Sequence, residues 1–367
     1  MKRMLDMTPE EIAGEMESLG QPAYRADQLL DWAYRKGVTD LAKMTNLPVP
    51  IKERFSVLTS HVVQRLESTD GTVKLLVELQ GSTGLAPGGS TGLGRIECVM
   101  IPTERFATAC LSTQVGCAMG CAFCASGMGG LERNLTAGEI LEQVLHLQQA
   151  CGRRITHVVF MGMGEPLANY EAVVAAVRAI VDPRRFGISA RHVTVSTVGL
   201  PKQIRRLAGE LLPVSLAISL HAPNDALRRQ LIPSAARFPI DEILAAAGEF
   251  FQSRKREVTL EYVLLGGLND TNVCAEALAR LAGRLRCNVN LIRYNPVESL
   301  PYRRPSQAAV QAFAQRLRRK GVNVQVRRSR GLDAQAACGQ LRRRSEPQRA
   351  QSPQSPRGQE EERQDGA

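Results

Sequence analysis

Hydrophobic positions in the second half of the chain follow two alternating spacings. Short apolar runs, typical of buried β-strands, are each followed by a stretch in which apolar residues recur every three or four positions, as on one face of a helix. The runs are TACLST, THVVFMG, HVTVST, VSLAISLH, EVTLEYVLL and NVNLIRY. Strands that alternate with helices form a parallel sheet with the helices outside. Six such units predict an α/β fold that closes into a partial barrel, (βα)6.

The N-terminal part of the chain follows other patterns. The stretch TPEEIAGEMESLG opens on Thr8, with Glu11 three positions later, which is the spacing of a capping box at a helix start. Gly20 is expected to end that helix. After residue 60, apolar and polar residues alternate in TVKLLVELQ and RIECVMIP, as they do in strands. This pattern predicts a small helical domain followed by a short β segment.

These changes of pattern divide the chain into four parts. A glycine- and serine-rich loop at 81–94 interrupts the β segment and is expected to be mobile. The C-terminal stretch is rich in Gln, Ser, Pro and charge, with almost nothing to bury, which is typical of disorder. The predicted parts are a helical accessory domain at 1–59, a β-rich connecting segment at 60–102, the barrel at 103–340 and a disordered tail at 341–367.

The composition indicates a folded protein with a basic surface. Among 367 residues, 44% are hydrophobic and 23% are charged, which is ordinary for a globular chain and excludes wholesale disorder. The net charge of +11 favours a polyanionic partner such as RNA or DNA. The sequence has no apolar stretch long enough for a membrane span, and acids appear too early for a secretory signal. We therefore expect a cytoplasmic protein with no membrane partner.

Three of the nine cysteines lie within eight residues, in CAMGCAFC, directly after the first apolar run of the barrel. Cys117, Cys121 and Cys124 are spaced so that a short loop wraps a [4Fe-4S] cluster, and three thiolates leave one iron without a protein ligand. S-adenosylmethionine can chelate that iron through its amine and carboxylate, and an electron then cleaves the sulfonium to a 5′-deoxyadenosyl radical. The alternative is a zinc knuckle or unrelated thiols, but structural zinc takes four ligands and no fourth Cys or His lies nearby in sequence.

The spacing Cx3CxFC at the end of the first barrel strand is the signature of the radical SAM superfamily. The wider text, SxQVGCxxxCxFC followed by GxxRNLTAGEI, resembles the RNA adenine methyltransferases of the RlmN and Cfr group, and the resemblance extends from about Tyr24 to Gln340. It implies a partial radical SAM barrel, an S-adenosylmethionine-dependent RNA methyltransferase, and methylation of adenine C2 in 23S rRNA and next to the anticodon in tRNA. It also implies an electron donor such as flavodoxin or ferredoxin, and a monomer is expected.

Polar residues follow the other strands at the edge where active sites of such barrels lie. By resemblance, Gly164 and Glu165 in GMGEP contact S-adenosylmethionine. A turn with a solvated Glu is the alternative for this motif. Further candidates for binding the cofactor end the third, fourth and sixth runs, where each taken singly is more often a strand cap or a satisfied core group. These residues are Ser196, Ser219, Leu220, His221 and Asn295.

Two cysteines far apart in sequence gain roles from the resemblance alone. Cys338 matches the residue that takes a methyl group from S-adenosylmethionine and carries it to the base. Cys110 matches the residue that releases the product by forming a transient disulfide with Cys338. Glu97 matches the proposed proton acceptor. Without the resemblance, two buried thiols and a solvated Glu are the ordinary interpretation. Packing roles are expected for the remaining cysteines, Cys98, Cys151, Cys274 and Cys287.

Basic residues cluster before the Cys338 segment and predict contacts with RNA phosphates. The clusters are Arg316, Arg318, Arg319 and Lys320, then Arg327, Arg328 and Arg330. A solvated helix face is the alternative. Two rival functions share these features. One is the adenine-C8 methyltransferase of the antibiotic-resistance type. The N-terminal stretch YRADQLLDWAYRKGV is more similar to the C2 enzyme than to this rival. The other is a non-catalytic RNA-binding protein with an iron-sulfur cluster.

Overall fold

The helix predicted after Thr8 forms with the cap that the sequence indicates. In the computed structural model, which describes residues 1–80 and 94–342, helix α1 begins at Pro9 and ends at Ser18. The Thr8 hydroxyl accepts a hydrogen bond from the Glu11 amide at 3.2 Å, and the Glu11 carboxylate accepts one from the Thr8 amide at 2.7 Å. Gly20 follows the helix with a φ of 67°, a conformation that glycine adopts without strain.

The N-terminal domain packs against the barrel as well as around its own core. Asp6 accepts a hydrogen bond from the amide of Gly138 at 2.6 Å, and Arg184 forms an ion pair with Glu10 at 2.6 Å. The ring of Tyr34 meets that of Phe186 edge-on. The elements of this domain are β1 (Lys2–Arg3), α1 (Pro9–Ser18), α2 (Tyr24–Leu30), α3 (Val49–Arg54) and β2 (Phe55–Ser56).

A ten-stranded sheet forms the centre of the described chain, in the order β14-β13-β12-β11-β10-β9-β6-β5-β4-β3. Strands β6 and β9 to β14 run parallel, whereas β3 to β6 pair antiparallel. Strands β7 and β8 form a separate hairpin. The strands are β3 (Ser60–Glu67), β4 (Val73–Leu79), β5 (Arg95–Pro102), β6 (Ala107–Cys110), β7 (Gln114–Gly116), β8 (Leu131–Asn134), β9 (His157–Phe160), β10 (Val193–Thr197), β11 (Ser215–Ser219), β12 (Val258–Leu264), β13 (Cys287–Arg293) and β14 (Asn323–Arg327).

The predicted strand and helix alternation is confirmed. Each of the six predicted runs contains a parallel strand followed by at least one helix, and β14 adds a seventh parallel strand at the open edge. The barrel is therefore partial, as six units require. The helices are α4 (Ala137–Cys151), α5 (Tyr170–Val181), α6 (Pro201–Gly209), α7 (Asp225–Leu231), α8 (Ile240–Arg254), α9 (Asn272–Ala282) and α10 (Gln307–Arg319).

The β segment at 60–102 is continuous with the barrel sheet and does not form a separate connector. Strand β5 pairs antiparallel with β6, the first barrel strand, and Val99 lies opposite Cys110. All seven residues of β4 are buried because α4 and the chain beyond residue 330 both pack against it. The alternation in sequence identifies these strands but not their partners, which are distant in sequence.

The C-terminal boundary lies slightly beyond the predicted one. Residues 328–342, here called the terminal segment, cross the carboxyl ends of the barrel strands, and Leu341 is buried. Leu341 and Arg342 thus belong to the folded body, whereas residues 81–93 of the predicted loop at 81–94 and the tail from 343 lie outside the described residues. No helix within 1–80 and 94–342 is long and apolar enough to cross a membrane.

Candidate active site

One cavity opens at the carboxyl ends of the parallel strands and collects most of the predicted site residues. Its wall on the sheet side consists of residues at the ends of β9 to β14. The loop at residues 117–124, here called the cysteine loop, and the terminal segment form the opposite wall. The predicted residues that line it are Cys117, Cys121, Cys124, Gly164, Glu165, Ser196, Ser219, His221 and Cys338. Strand ends that are adjacent in the sheet thus bring together side chains that are far apart in sequence.

The cysteine loop is anchored at several points by main-chain hydrogen bonds. The Cys117 amide donates to the Gly130 carbonyl at 2.9 Å, and the Cys124 amide donates to the Cys121 carbonyl at 3.1 Å. The Ala122 amide donates to the Leu231 carbonyl at 2.9 Å. These bonds curl the loop so that all three sulfurs share one cavity.

Buried thiols fit a metal cluster here. Burial raises the pKa of Cys117 to about 12, and it also raises those of Cys121 and Cys124. For Cys117 and Cys121 the neighbouring thiols add to this effect, so three thiolates need a cation in the cavity. Three thiolates from one loop suit a cluster with several irons, and the described residues contain no group of three or more His, Cys, Asp or Glu placed to hold a single metal ion. Within the loop, the ring of Phe123 meets that of His221 edge-on.

Glu165 supplies a buried carboxylate to the same cavity. Its two oxygens accept hydrogen bonds from the amides of Leu167 at 2.9 Å and Val198 at 2.7 Å. Burial nevertheless raises the pKa of this carboxyl to about 7. An ammonium group placed against Glu165 would favour the ionised form, so the residue suits the amine of S-adenosylmethionine.

Gly164 allows the main chain to pass close to Gln114 in strand β7. Its φ is 101°, and a Cβ added to it would lie 2.7 Å from the Cβ of Gln114 and 2.9 Å from its backbone nitrogen. Gln114 cannot move aside easily, because its side chain accepts from the Glu165 amide at 2.8 Å and donates to Asn134 at 2.7 Å. Glycine is therefore required to place Glu165.

Gly164→Ala is expected to weaken S-adenosylmethionine binding about 10- to 100-fold, because backbone strain of about 1–3 kcal/mol displaces Glu165. Equilibrium dialysis with labelled S-adenosylmethionine on the cluster-reconstituted protein measures the effect. Gly248→Ala is the matched control, since a Cβ added at Gly248 in α8 would meet no other atom within 4 Å. Unchanged affinity in the Gly164 variant would contradict this role.

The remaining predicted cofactor residues fall into two groups. The hydroxyls of Ser196 and Ser219 are 3.5 Å apart, and His221 accepts from the Val263 amide through Nδ1 at 3.1 Å. Burial lowers the pKa of His221 to about 3, which keeps its ring neutral. In contrast, the Leu220 side chain is fully buried away from the cavity, and Asn295 lies in an adjoining cavity.

Cys338 lies between two cavities. It lines the cavity of the cysteine loop and also the adjoining one, where Cys110 forms part of the wall. Burial, followed by the proximity of Cys338, raises the pKa of Cys110 to about 12. Both thiols are free in the structure, so the predicted disulfide is not formed in this state. Arg327 lines both cavities, and the charge of Cys338 raises the pKa of its guanidinium.

Hydrogen bonds hold Cys338 in this position. Its carbonyl accepts from the side-chain amide of Asn295 at 3.1 Å. The next carbonyl, that of Gly339, accepts from the Ala125 amide at 2.8 Å, which ties the terminal segment to the cysteine loop. Asn295 therefore orients the terminal segment in the structure, in addition to any contact with the cofactor.

Glu97 lies beneath the terminal segment and is paired with a lysine. Its carboxylate is 3.2 Å from Nζ of Lys74, and the side chains of Lys74 and Glu97 are only 2% and 1% exposed. Lys74 also donates to the Gln335 carbonyl at 2.8 Å, and the Arg342 amide donates to Glu97 at 3.0 Å. Val99 registers opposite Cys110, so Glu97 lies two residues along the same strand from that contact. The pair thus links β4, β5 and the terminal segment.

Lys74→Met is expected to reduce the free energy of unfolding by about 3–5 kcal/mol, because it leaves the Glu97 charge buried without its ammonium partner. Urea denaturation measures this change. Lys43→Met is the control, since Lys43 and Asp40 form an exposed pair at 3.9 Å that contributes little. Equal effects of the two substitutions would contradict the importance of the buried pair.

Sequence reasoning missed three residues. Lys74 and Glu261 are buried charged residues on strands, and Glu261 lines the main cavity. Their only sequence signal was a charge inside an apolar run. Arg228 is also buried, and it donates to the carbonyls of Leu220 and Val198. Arg316, assigned to the RNA-binding cluster, forms an ion pair with Glu276 at 2.8 Å.

Comparisons with known proteins agree with this geometry. Residues 111–277 match the model of the radical SAM superfamily, and residues 2–60 match that of the ribosomal RNA large subunit methyltransferase N-terminal domain. A crystal structure of a radical SAM methyltransferase from Sphaerobacter thermophilus superposes with a TM-score of 0.86 at 42% identity, over 93% of this chain and 99% of the other.

Curated relatives are similar over nearly their whole length. A protein of Thermosynechococcus vestitus named probable dual-specificity RNA methyltransferase RlmN is 46% identical, over 92% of this chain and 98% of its own. A protein of Gloeobacter violaceus with the same name is also 46% identical, over 95% and 97%.

The barrel and its cysteine loop define a radical SAM enzyme, a class that uses a [4Fe-4S] cluster and S-adenosylmethionine. The N-terminal domain and the relatives narrow this class to RNA methyltransferases. The chain belongs to the RlmN family.

Proposed function

We propose that this RNA methyltransferase modifies C2 of an adenine in 23S rRNA and of the adenine 3′ of the anticodon in tRNAs, through a methyl group carried on Cys338. The observation that carries the proposal is the position of Cys338, which lines the cavity of the cysteine loop and shares the adjoining cavity with Cys110. A carrier residue needs access to the methyl donor on one side and to its resolving thiol on the other.

A carrier is needed because of the chemistry of adenine. C2 lies between two ring nitrogens and is electron-poor, so it does not attack the methyl group of S-adenosylmethionine. A cysteine thiolate does attack such a methyl group, giving S-methylcysteine and S-adenosylhomocysteine. Cys338 is exposed, as this step requires, and Arg327 lines the same cavity.

When bound, a cluster and a second S-adenosylmethionine would supply a 5′-deoxyadenosyl radical, at the expense of one electron from a donor such as flavodoxin or ferredoxin. Residues that line the cavity would hold S-adenosylmethionine for this chemistry. Glu165 would bind its amine, Ser196 and Ser219 would offer hydroxyls to its ribose or carboxylate, and His221 would offer a neutral ring. The S-methyl group of Cys338 would give up a hydrogen atom to this radical, forming 5′-deoxyadenosine, and the remaining methylene radical would add to C2.

Release of the product uses Cys110 and Glu97. The adduct radical joins Cys338 to the base through a methylene group, and it must lose one electron, which the oxidised cluster would accept, and one proton from C2, for which Glu97 is the proposed acceptor. The Cys110 thiol then attacks the Cys338 sulfur, which forms a disulfide and breaks the bond between that sulfur and the methylene carbon, and the thiol proton completes the methyl group of the base. An external dithiol resets the pair. Cys110 is buried beside Cys338, which supports this pairing.

The test is mass spectrometry of nucleosides from 23S rRNA and tRNA of a strain with and without the gene. The proposal expects 2-methyladenosine in both RNAs only when the gene is present. Appearance of 8-methyladenosine instead would favour the antibiotic-resistance type, and no change in either RNA would refute the assignment.

A further inference from the structure

A groove on the outer side of the barrel is lined by arginines. It lies between helix α10, the carboxyl ends of β13 and β14, and the loop before α10, and it encloses about 560 Å³. Its other polar walls are the neutral side chains of Gln307, Gln311 and Ser329. No acid lines it within the part of the chain that the structure describes. The arginines are Arg293, Arg304, Arg318, Arg327 and Arg328.

The positive charge in this groove is largely uncompensated. Arg327 lies 3.9 Å from Glu261, but the other four arginines form no salt bridge with any described residue. Their hydrogen bonds go to neutral groups: Arg293 donates to the Pro305 carbonyl at 2.8 Å, and Arg304 donates to the Ser329 hydroxyl at 3.3 Å. Burial, followed by the charge of Arg293, lowers the pKa of Arg304. The guanidinium groups of such a cluster repel one another, and a bound anion offsets this repulsion.

The groove leads to the active site. Arg327, at its inner end, also lines the cavity of the cysteine loop, and Arg327, Arg328 and Ser329 line the cavity that contains Cys110 and Cys338. A chain of phosphates lying in the groove would therefore place a neighbouring nucleotide beside Cys338. A single free phosphate would not need this continuity.

We propose that the arginine groove (Arg293, Arg304, Arg318, Arg327 and Arg328) binds consecutive backbone phosphates of the RNA strand that enters the active site. The proposal rests on the function proposed above and names the surface that positions its substrate. Guanidinium groups bind phosphate oxygens in pairs of hydrogen bonds and do not read the base sequence. The groove thus positions the strand, and the cavity selects the base.

The test measures binding of the full-length protein to a fluorescent RNA hairpin over a range of salt concentrations. Arg304 and Arg318 line only this groove among the cavities described above. The double variant R304Q/R318Q should bind about tenfold more weakly, and the slope of log affinity against log salt should fall by about 1.4, or ~0.7 for each phosphate contact with a single strand.

R284Q/R286Q is the matched control, with the same loss of charge. Arg284 and Arg286 precede β13, at the opposite end of the barrel, and pair with Asp241 and Glu257. The control should keep the affinity and the slope of the unaltered protein. Equal effects in both double variants would show a response to net charge alone and would overturn the proposal, as would weaker binding of R304Q/R318Q with an unchanged slope.

Methylation of Cys338, which needs no RNA, separates this proposal from the function on which it rests. Intact-protein mass spectrometry follows it in the same preparations. Normal methylation together with unaltered RNA binding in R304Q/R318Q would overturn the groove and leave the proposed function standing. Failure of the unaltered protein to methylate Cys338 would instead refute the function.

Discussion

Cys338→Ala is expected to abolish methyl transfer, with RNA methylation reduced by on the order of 10³-fold or more, because the substitution removes the proposed carrier of the methyl group. The variant should still bind S-adenosylmethionine, since Cys338 lies on the wall opposite the sheet and its carbonyl keeps the contact with Asn295. Intact-protein mass spectrometry and nucleoside analysis after an anaerobic reaction measure the two effects.

Cys274→Ala is the control for this substitution. Cys274 lies in the first turn of α9 and lines none of the cavities described above, so its loss should leave methylation unchanged. Methylated RNA produced by the Cys338 variant at a normal rate would rule out a cysteine-borne methyl group.

Cys110→Ala should trap the enzyme on its substrate. Without a resolving thiol, the bond between Cys338 and the base persists, and a large share of the protein should carry RNA after a single turnover. Denaturing electrophoresis, before and after nuclease treatment, detects this adduct. The side chain is buried and alanine is smaller, so we expect the fold to be retained at a cost of about 1–2 kcal/mol.

Cys98→Ala provides the comparison, since Cys98 is a fully buried thiol on the neighbouring strand β5. It should turn over without trapping. If the Cys110 variant instead completes many turnovers and no adduct forms, another group releases the product.

The sequence predicted the parts of this site that depend on local spacing. Cys117, Cys121 and Cys124 share one short loop, so their spacing alone places them together. Gly164 follows one apolar run and Ser196 ends another, so both are expected at the edge of the sheet where the ends of parallel strands meet, whereas their contact with the cofactor is implied by the resemblance. The alternation of strands and helices therefore predicted the edge of the sheet at which these residues lie.

Contacts between distant segments were beyond the sequence. The antiparallel pairing of β4 with β5 brings Lys74 and Glu97 together. The contact of Lys74 with Gln335 joins residues 261 positions apart in sequence. The continuity of the β segment with the barrel depends on the same long-range pairing of β5 with β6. Side-chain direction was also not predictable: Leu220 lies between two cavity residues but points away from the cavity.

The central claim is that the methyl group passes through an S-methyl radical on Cys338 to adenine C2. Reaction of the reconstituted enzyme with S-adenosylmethionine carrying a trideuterated methyl group, followed by mass spectrometry of the RNA nucleosides, tests it most directly. We predict 2-methyladenosine with two deuterium atoms in the new methyl group, because one is removed before transfer and a proton replaces it. A methyl group with all three deuterium atoms, or a product methylated at C8, would contradict this route.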